Sequence, residues 1–266
     1  MHYRKNLLTG VAASISLAMG LAACQPGNGQ SLSAQQNTPA EVSNDAIFYS
    51  SLNYAVNEGE YDGVMTVGEL KKKGSMGVGS TAQLTYEMVI ADSVVYGIPS
   101  DGKAVVLDDT TRVVYAAVKH FTPDQTLEIN ESMSRKEFED FLAEVVHQNA
   151  FAAIAVEGTF EEVEYRTFVP QRKPYKPVDQ AETEIYTKED ISGIFSGFYT
   201  PESAQVLNSP VFHFHFISQH QETGGHALEY TVAKATVAID YAKNLEVHLA
   251  DTTELQDVDL NQAVNK

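Results

Sequence analysis

Apolar and polar residues alternate in seven stretches of this 266-residue chain. Because successive side chains of a β-strand point to opposite faces, a period of two predicts strands that each cover a core with one face. This alternation constrains the fold more than any other feature and predicts a chain built mainly from sheets. The stretches are residues 82–97, 104–107, 112–118, 151–168, 191–199, 210–218 and 226–249.

A few helix starts interrupt the predicted strands. Residues 66–69 and 134–137 each fit a capping box, in which a hydroxyl and a glutamate side chain bind each other's backbone N–H groups. The second of these helices has an apolar stripe and is predicted to extend to about His147. A third helix is predicted around Pro201, because proline favours the first helical position. The expected class is therefore α+β, with mixed or antiparallel sheets and few helices.

The first 44 residues differ from the rest of the chain. A short basic start precedes an uncharged apolar run, which is too short for the roughly 20 residues of a membrane helix and predicts a signal peptide over residues 1–23. The run ends in Leu21-Ala22-Ala23-Cys24, which resembles a bacterial lipobox and implies that Cys24 carries lipid. A secretory signal with a chance cysteine is the alternative. Residues 24–44 are predicted to form the lipid anchor and a flexible linker.

A proline-rich connector divides the remaining residues. It contains three prolines between residues 169 and 183 and has no apolar period, so we expect a break near residue 170. This break separates a predicted N-terminal α+β half, residues 45–169, from a predicted C-terminal half, residues 170–266. Both halves are expected to be rich in strands.

Charge and cysteine content exclude several kinds of site and partner. The 36 acidic and 18 basic residues give a net charge of −18, which argues against a nucleic-acid binder. Cys24 is the single cysteine, so an intrachain disulfide and a cysteine-based zinc site are both excluded. With lipid on Cys24, we expect an exported protein attached to the cell envelope, at the outer membrane or periplasmic face in a Gram-negative host.

Three histidines form the most specific chemical pattern. His213 and His215 are two residues apart in a predicted strand, so their side chains share a face. A hairpin centred between residues 220 and 221 would place His226 directly opposite His215. Three histidines with open coordination positions are what a catalytic zinc ion needs, and they place the predicted metal site in the C-terminal half. A polar strand face without a metal is the alternative.

A cupin-type metal enzyme is another interpretation of these histidines. Such enzymes also combine an HxH pair with a later histidine, and they place a glutamate shortly after the pair in the pattern HxHxxxxE. Here Glu222 lies seven residues beyond His215, so the spacing does not fit that pattern.

Motifs on both sides of the histidines resemble the α-acetolactate decarboxylase family. The resemblance runs in order from about residue 46 to residue 260, which makes it more specific than any single motif. It implies a zinc enzyme that converts 2-acetolactate into acetoin and CO₂. The matching segments are YDG at 61–63, VGEL at 67–70, GVGS at 77–80, LTYE at 84–87, GTF at 158–160, RT at 166–167, KPY at 173–175, GIFSGFYTPE at 193–202, HFHF at 213–216 and GGH at 224–226.

The same resemblance implies roles for individual residues. The implied zinc ligands are His213, His215 and His226, the implied catalytic residues are Glu87 and Arg166, and the implied substrate-binding residues are Ser80 and Arg166. Ser80 stands where the family usually has threonine. Without the resemblance, Glu87 would be interpreted as part of a solvated strand face and Arg166 as a surface ion-pair residue.

The implied substrate accounts for the absence of an organic cofactor. Acetolactate has a hydroxyl, a ketone and a carboxylate on adjacent carbons, so a Lewis acid that chelates two of its oxygens can stabilise the electrons left by CO₂. The expected partners are a small 2-hydroxy-3-keto acid and, from the family, a second copy in a homodimer. The family also has a glutamate near its C-terminus, and no glutamate follows Glu254 here. The absence of this glutamate favours another interpretation, in which the chain is a zinc-binding lipoprotein with reduced catalytic activity.

Overall fold

Two β-sheets make up most of the protein. The computed structural model describes residues 45–249 and residue 260, so the predicted signal peptide, Cys24, the linker and Glu254 lie outside the described residues. Within the described residues the helices are α1 (Asn53–Asn57), α2 (Val67–Leu70) and α3 (Arg135–Val145). The strands are β1 (Ala46–Tyr49), β2 (Met65–Thr66), β3 (Met76–Thr81), β4 (Glu87–Ala91), β5 (Val94–Ile98), β6 (Val105–Val106), β7 (Arg112–Lys119), β8 (Gln125–Ile129), β9 (Met133–Ser134), β10 (Phe151–Phe168), β11 (Thr183–Thr200), β12 (Val211–Ser218), β13 (Gly224–Ala242) and β14 (Asn244–Val247).

The first sheet is mixed. Its strands lie in the order β14-β1-β7-β3-β4-β5-β6, and β2 also pairs with β7. Strands β1 and β14 are parallel, whereas β3, β4 and β5 follow one another as antiparallel neighbours. The sheet therefore joins the beginning of the described chain to its last strand.

The second sheet is antiparallel and carries the histidines. Its strands lie in the order β10-β11-β12-β13-β8, and β9 pairs with β13. Because β10 pairs with both β11 and β13, the four strands β10 to β13 form a closed ring of pairings. The predicted α+β class with mixed and antiparallel sheets is confirmed. The proline-rich connector joins β10 to its neighbour β11, so residues on both sides of residue 170 contribute to this sheet.

The helix signals of the sequence have three different outcomes. Both capping boxes are confirmed: Thr66 and Ser134 each accept a hydrogen bond from a backbone N–H three residues later, and the glutamate there accepts one in return. Pro201, by contrast, precedes only a single 3₁₀ turn over Glu202–Ala204, whose start has no side-chain cap, so the predicted third helix is wrong in extent. Helix α1 was not predicted, since its preceding residue, Leu52, provides no side-chain cap. Within residues 45–249, no helix is long and apolar enough to cross a membrane.

The two sheets pack against each other through buried side chains. Ile47, Val78 and Ala117 of the first sheet share a core with Phe198 of the second sheet. The Ser196 hydroxyl donates a hydrogen bond to the Gly77 carbonyl oxygen over 2.9 Å. A separate core lies under α3, where Phe138 and Leu142 are fully buried against the second sheet. Burial of these apolar surfaces provides most of the driving force that keeps the sheets together.

A buried ion pair also links the sheets, and its disruption should be costly. The Nζ atom of Lys119 on β7 lies 2.7 Å from Oδ2 of Asp240 on β13, and both side chains are buried. Removing one partner leaves the other charge in a low-dielectric interior, so Asp240→Ala should reduce the free energy of unfolding by about 3–5 kcal/mol. Denaturant titration measures this loss. Asp140→Ala, which breaks an exposed pair with Lys136, should have a much smaller effect, and equal losses would contradict the assignment.

Candidate metal centre

Three histidines converge between the two sheets. His213 and His215 lie on β12, and His226 lies on β13 directly opposite His215, which confirms the hairpin register predicted from the spacing. Arg166 on β10 is in turn opposite His226. Arg166, His226 and His215 therefore form one row across three neighbouring strands, so their side chains share one face.

The ring nitrogens of these histidines are placed as ligands of one metal ion. Nε2 of His213, Nε2 of His215 and Nδ1 of His226 lie 3.2 Å from one another in all three pairs. Nitrogens bound at about 2.0–2.1 Å to a tetrahedral metal ion would lie about 3.3 Å apart, so the observed spacing fits. Among the described residues, they are the one group of at least three histidine, cysteine or acidic side chains with this convergence.

Hydrogen bonds to the opposite ring nitrogens orient two of the imidazoles. Nδ1 of His215 lies 2.7 Å from the carbonyl oxygen of Met88, which belongs to β4 of the first sheet. Nδ1 of His213 lies 2.7 Å from Oδ1 of Asn208, in the loop before β12. An N–H that donates to a fixed oxygen holds the ring and leaves the other nitrogen free to bind a metal. The centre therefore depends on both sheets and on the loop before β12.

Burial keeps the three imidazoles neutral. Loss of solvation and, to a smaller extent, the nearby charge of Arg166 lower the pKa of His213 to about 3. The pKa values of His215 and His226 lie well below their usual range, again chiefly because of burial. A neutral imidazole has a lone pair available for a metal ion, so the site needs no deprotonation before it binds one at neutral pH.

Glu87 and Arg166 form an ion pair beside the histidines. Oε1 of Glu87, at the start of β4, lies 3.1 Å from Nη1 of Arg166, and the other carboxylate oxygen lies 3.9 Å from Nε2 of His215. The Arg166 guanidinium also stacks on Phe168, with its carbon 4.2 Å from the ring centroid. Burial raises the pKa of Glu87 to about 7, and the charge of Arg166 opposes this rise. A bound cation would favour the ionised carboxylate in the same way as Arg166.

A cavity of about 200 Å³ opens onto these groups. With about 30 Å³ for each water in the liquid, it has room for a small molecule. All of the predicted site residues of the described chain line it, namely Ser80, Glu87, Arg166, His213, His215 and His226. Sequence reasoning missed the other lining residues, among them Asn53, Asn57, Tyr115 and Phe168. These four carry no local motif, and only the folded chain brings them together.

Ser80 and Tyr86 occupy different surroundings. Ser80 is buried opposite Glu87 in the β3–β4 pair, and its hydroxyl donates to the Tyr86 carbonyl oxygen over 3.0 Å. The Tyr86 side chain packs against the core of the first sheet and does not line the cavity. The Tyr86 side chain therefore leaves the cavity free.

Gly225 allows His226 to approach Arg166. Its φ angle is +151°, and a Cβ atom at this position would lie 2.5 Å from the Arg166 carbonyl oxygen. A residue with a side chain would therefore force β13 away from β10 beside the metal ligands. Steric crowding therefore explains why the GGH motif has glycine at position 225.

Known proteins resemble this chain in sequence and in fold. Residues 47–262 match the family described as "Alpha-acetolactate decarboxylase". The protein named alpha-acetolactate decarboxylase from Bacillus licheniformis is 32% identical over 227 residues, which cover 84% of this chain and 90% of that protein. Its counterpart from Methanosarcina mazei is 31% identical over 242 residues, which cover 89% of this chain and 84% of the relative.

A solved structure supports the same relationship. The crystal structure of alpha-acetolactate decarboxylase from Bacillus subtilis strain 168 superimposes with a TM-score of 0.79 and 30% sequence identity. The superposition covers 81% of this chain and 94% of that protein. A family match over most of the chain, relatives above 30% identity and a shared fold agree with one another. The chain belongs to the alpha-acetolactate decarboxylase family.

Proposed function

We propose that this protein is an acetolactate decarboxylase that uses zinc to convert 2-acetolactate into acetoin and CO₂. The observation that carries this proposal is the convergence of three neutral histidines on one point, beside a buried carboxylate and an arginine in a small cavity. Family membership gives the reaction class, and three histidines without cysteine suit zinc. A small 2-hydroxy-3-keto acid is the corresponding substrate.

The chemistry requires charge stabilisation at an oxygen. When the bond to the carboxylate carbon breaks, its electron pair is delocalised into the neighbouring ketone, and the carbon then gains a proton. Zinc held by His213, His215 and His226 would supply a Lewis acid that stabilises the developing negative charge. The buried setting makes this stabilisation stronger than it would be in water.

Arg166 binds and orients the substrate anion. Its guanidinium is held from two sides, by the Glu87 carboxylate and by the face of Phe168, so its direction is set before substrate arrives. Planar N–H groups suit the oxygens of a carboxylate or an oxyanion better than a lysine ammonium does. The high pKa of guanidinium makes it a poor proton donor, so its role is binding and charge stabilisation.

Glu87 holds and moves the proton. It is the acidic side chain that lines the cavity, and its carboxylate oxygens face both Arg166 and the histidine cluster. A carboxylate held beside the reacting groups can accept a proton and donate it again. Glu87 is therefore placed to deliver the proton that the product carbon gains after CO₂ has left.

Incubation of the purified protein with 2-acetolactate tests the reaction. Acetoin should form in proportion to protein concentration, faster than the spontaneous background. Acetohydroxybutyrate, which has one more carbon, tests the tolerance of the cavity. Zinc bound at one ion per chain without acetoin would contradict the decarboxylase and favour the alternative of a metal-binding homologue without activity.

We also propose that the protein is exported and held at the cell envelope by lipid on Cys24. The support is the sequence Leu21-Ala22-Ala23-Cys24 after a basic start and an apolar run. Cells that express the full chain should incorporate a labelled fatty acid into it, and Cys24→Ser should abolish the label. The variant should also shift from the membrane fraction to the soluble fraction. Label that persists in the Cys24→Ser variant would contradict the anchor.

A further inference from the structure

The loop before β12 contains a buried amide with an unusual number of polar contacts. Asn208 is fully buried, and its Oδ1 atom lies 2.7 Å from Nδ1 of His213. The same oxygen accepts a hydrogen bond from the Ser209 backbone N–H over 3.0 Å. The amide nitrogen donates to the Thr200 hydroxyl oxygen over 3.3 Å. Asn208 makes no contribution to the cavity lining, so it acts through its neighbours.

The Ser209 contact determines which end of the amide faces His213. A backbone N–H can only donate, so the Asn208 atom beside it must be the oxygen. If the amide were reversed, its NH₂ group would oppose the Ser209 N–H at 3.0 Å and leave that half-buried donor without this acceptor. The main chain of the loop thereby fixes the amide orientation.

The amide orientation in turn determines the tautomer of His213. Because Oδ1 can only accept, His213 must carry its proton on Nδ1. Its Nε2 atom, which faces His215 and His226, then has a free lone pair. A reversed amide would donate to Nδ1 and place the proton on Nε2, where it would block coordination.

We propose that Asn208 is a positioning residue that keeps the proton of His213 on Nδ1 and so makes Nε2 a metal ligand. The inference rests on the proposed metal site. Oδ1 of Asn208 accepts the Nδ1 hydrogen of His213, just as the Met88 carbonyl oxygen accepts that of His215. Asn208 acts through its side chain, however, and a substitution can therefore change it. Partners of this kind typically alter metal affinity by about 10- to 100-fold when they are removed.

Tyr115 provides the matched control. Its hydroxyl lies 2.8 Å from Asn208 Oδ1 and 2.7 Å from the Leu207 carbonyl oxygen, and its single hydrogen is donated to one of these acceptors at a time. Tyr115→Phe removes a buried neighbour of Asn208 but leaves the Ser209 contact that orients the amide. We therefore expect this variant to retain the His213 tautomer.

Nitrogen NMR of the full-length protein, prepared without metal, tests the tautomer directly. In the wild-type protein and in Tyr115→Phe, His213 should carry its proton on Nδ1. Asn208→Asp should do the same, because a carboxylate oxygen also only accepts. Asn208→Leu should lose the preference. Wild-type protein with the His213 proton on Nε2 would overturn the proposal whatever the variants do.

Competition with a zinc chelator provides the second readout. Asn208→Leu should bind zinc about 10- to 100-fold more weakly than wild type, and Asn208→Asp should bind within a few-fold or more tightly. A folded Asn208→Leu variant with unchanged affinity, or an Asn208→Asp variant as weak as Asn208→Leu, would contradict the proposal. If Asn208→Leu does not fold, the wild-type spectrum and Asn208→Asp still decide. If zinc does not bind although Nδ1 carries the proton, the proposed metal site is wrong and only the assignment of the His213 tautomer to Asn208 stands.

Discussion

Substitution of His215 by alanine should abolish acetoin formation while the protein stays folded. His215 faces His213 and His226 over 3.2 Å, and its ring is held by the Met88 carbonyl oxygen. Two imidazoles bind zinc much more weakly than three. Loss of several kcal/mol of charge stabilisation corresponds to a rate decrease of about three orders of magnitude. Acetoin assays and metal analysis of the same preparation measure both effects.

The same substitution at an exposed histidine is the control for this experiment. His220 lies just beyond β12, outside the metal centre, so His220→Ala should retain zinc and full activity. Far-UV circular dichroism should be unchanged in both variants. A His215→Ala protein with wild-type turnover would show that the histidine cluster does not support the reaction.

Substitution of Glu87 by glutamine should separate metal binding from proton transfer. Glutamine has nearly the same shape and still offers Arg166 an oxygen acceptor at the position of the 3.1 Å contact. It cannot gain or lose a proton, so turnover should fall by about 10²- to 10⁴-fold, the usual contribution of a general acid or base. Zinc content should stay at the wild-type level, because the three histidines remain.

The matched control is Glu189→Gln on the exposed part of β11, which should leave turnover unchanged. A Glu87→Gln variant that turns over at the wild-type rate would remove Glu87 from the mechanism. If that variant instead loses zinc together with activity, Glu87 supports the metal site and its proposed role in proton transfer is wrong.

The metal centre was the part of the site most accessible from the sequence. An HxH pair and a third histidine at hairpin spacing are local features of the sequence. Because side chains alternate along a strand with a period of two, this spacing places the three histidines on one face. The pairing of His215 opposite His226 follows from the same hairpin spacing and is confirmed by the structure. Residues 151–168 were likewise predicted as strand with the bounds that β10 has.

Long-range contacts explain what the sequence could not show. Glu87 and Arg166 are 79 residues apart and lie on different sheets, so no local pattern reveals that they pair. Without the family resemblance both would be taken for surface residues, yet Glu87 is buried between the sheets. Asn208 belongs to a loop and carries no local motif, so its contact with the His213 ring is visible only in the structure.

Turn geometry accounts for one difference in the strands. The stretch 82–97 was predicted as a single strand region, whereas the chain turns at Asp92 and Ser93 between β4 and β5. These two residues have φ angles of +48° and +67°, the conformation of a tight hairpin turn that usually carries glycine or asparagine. Apolar residues return to the even-numbered positions after the polar pair Asp92-Ser93, so the period of two alone does not reveal the turn.

Zinc titration of the metal-free protein tests the central claim most directly. Chelation should remove the metal and the activity together, and stepwise addition of zinc should restore acetoin formation linearly up to one ion per chain. The His215→Ala variant should show no such recovery over the same range. Full activity in protein that holds no zinc, or recovery that needs more than one ion per chain, would contradict the assignment of the three histidines as the catalytic metal centre.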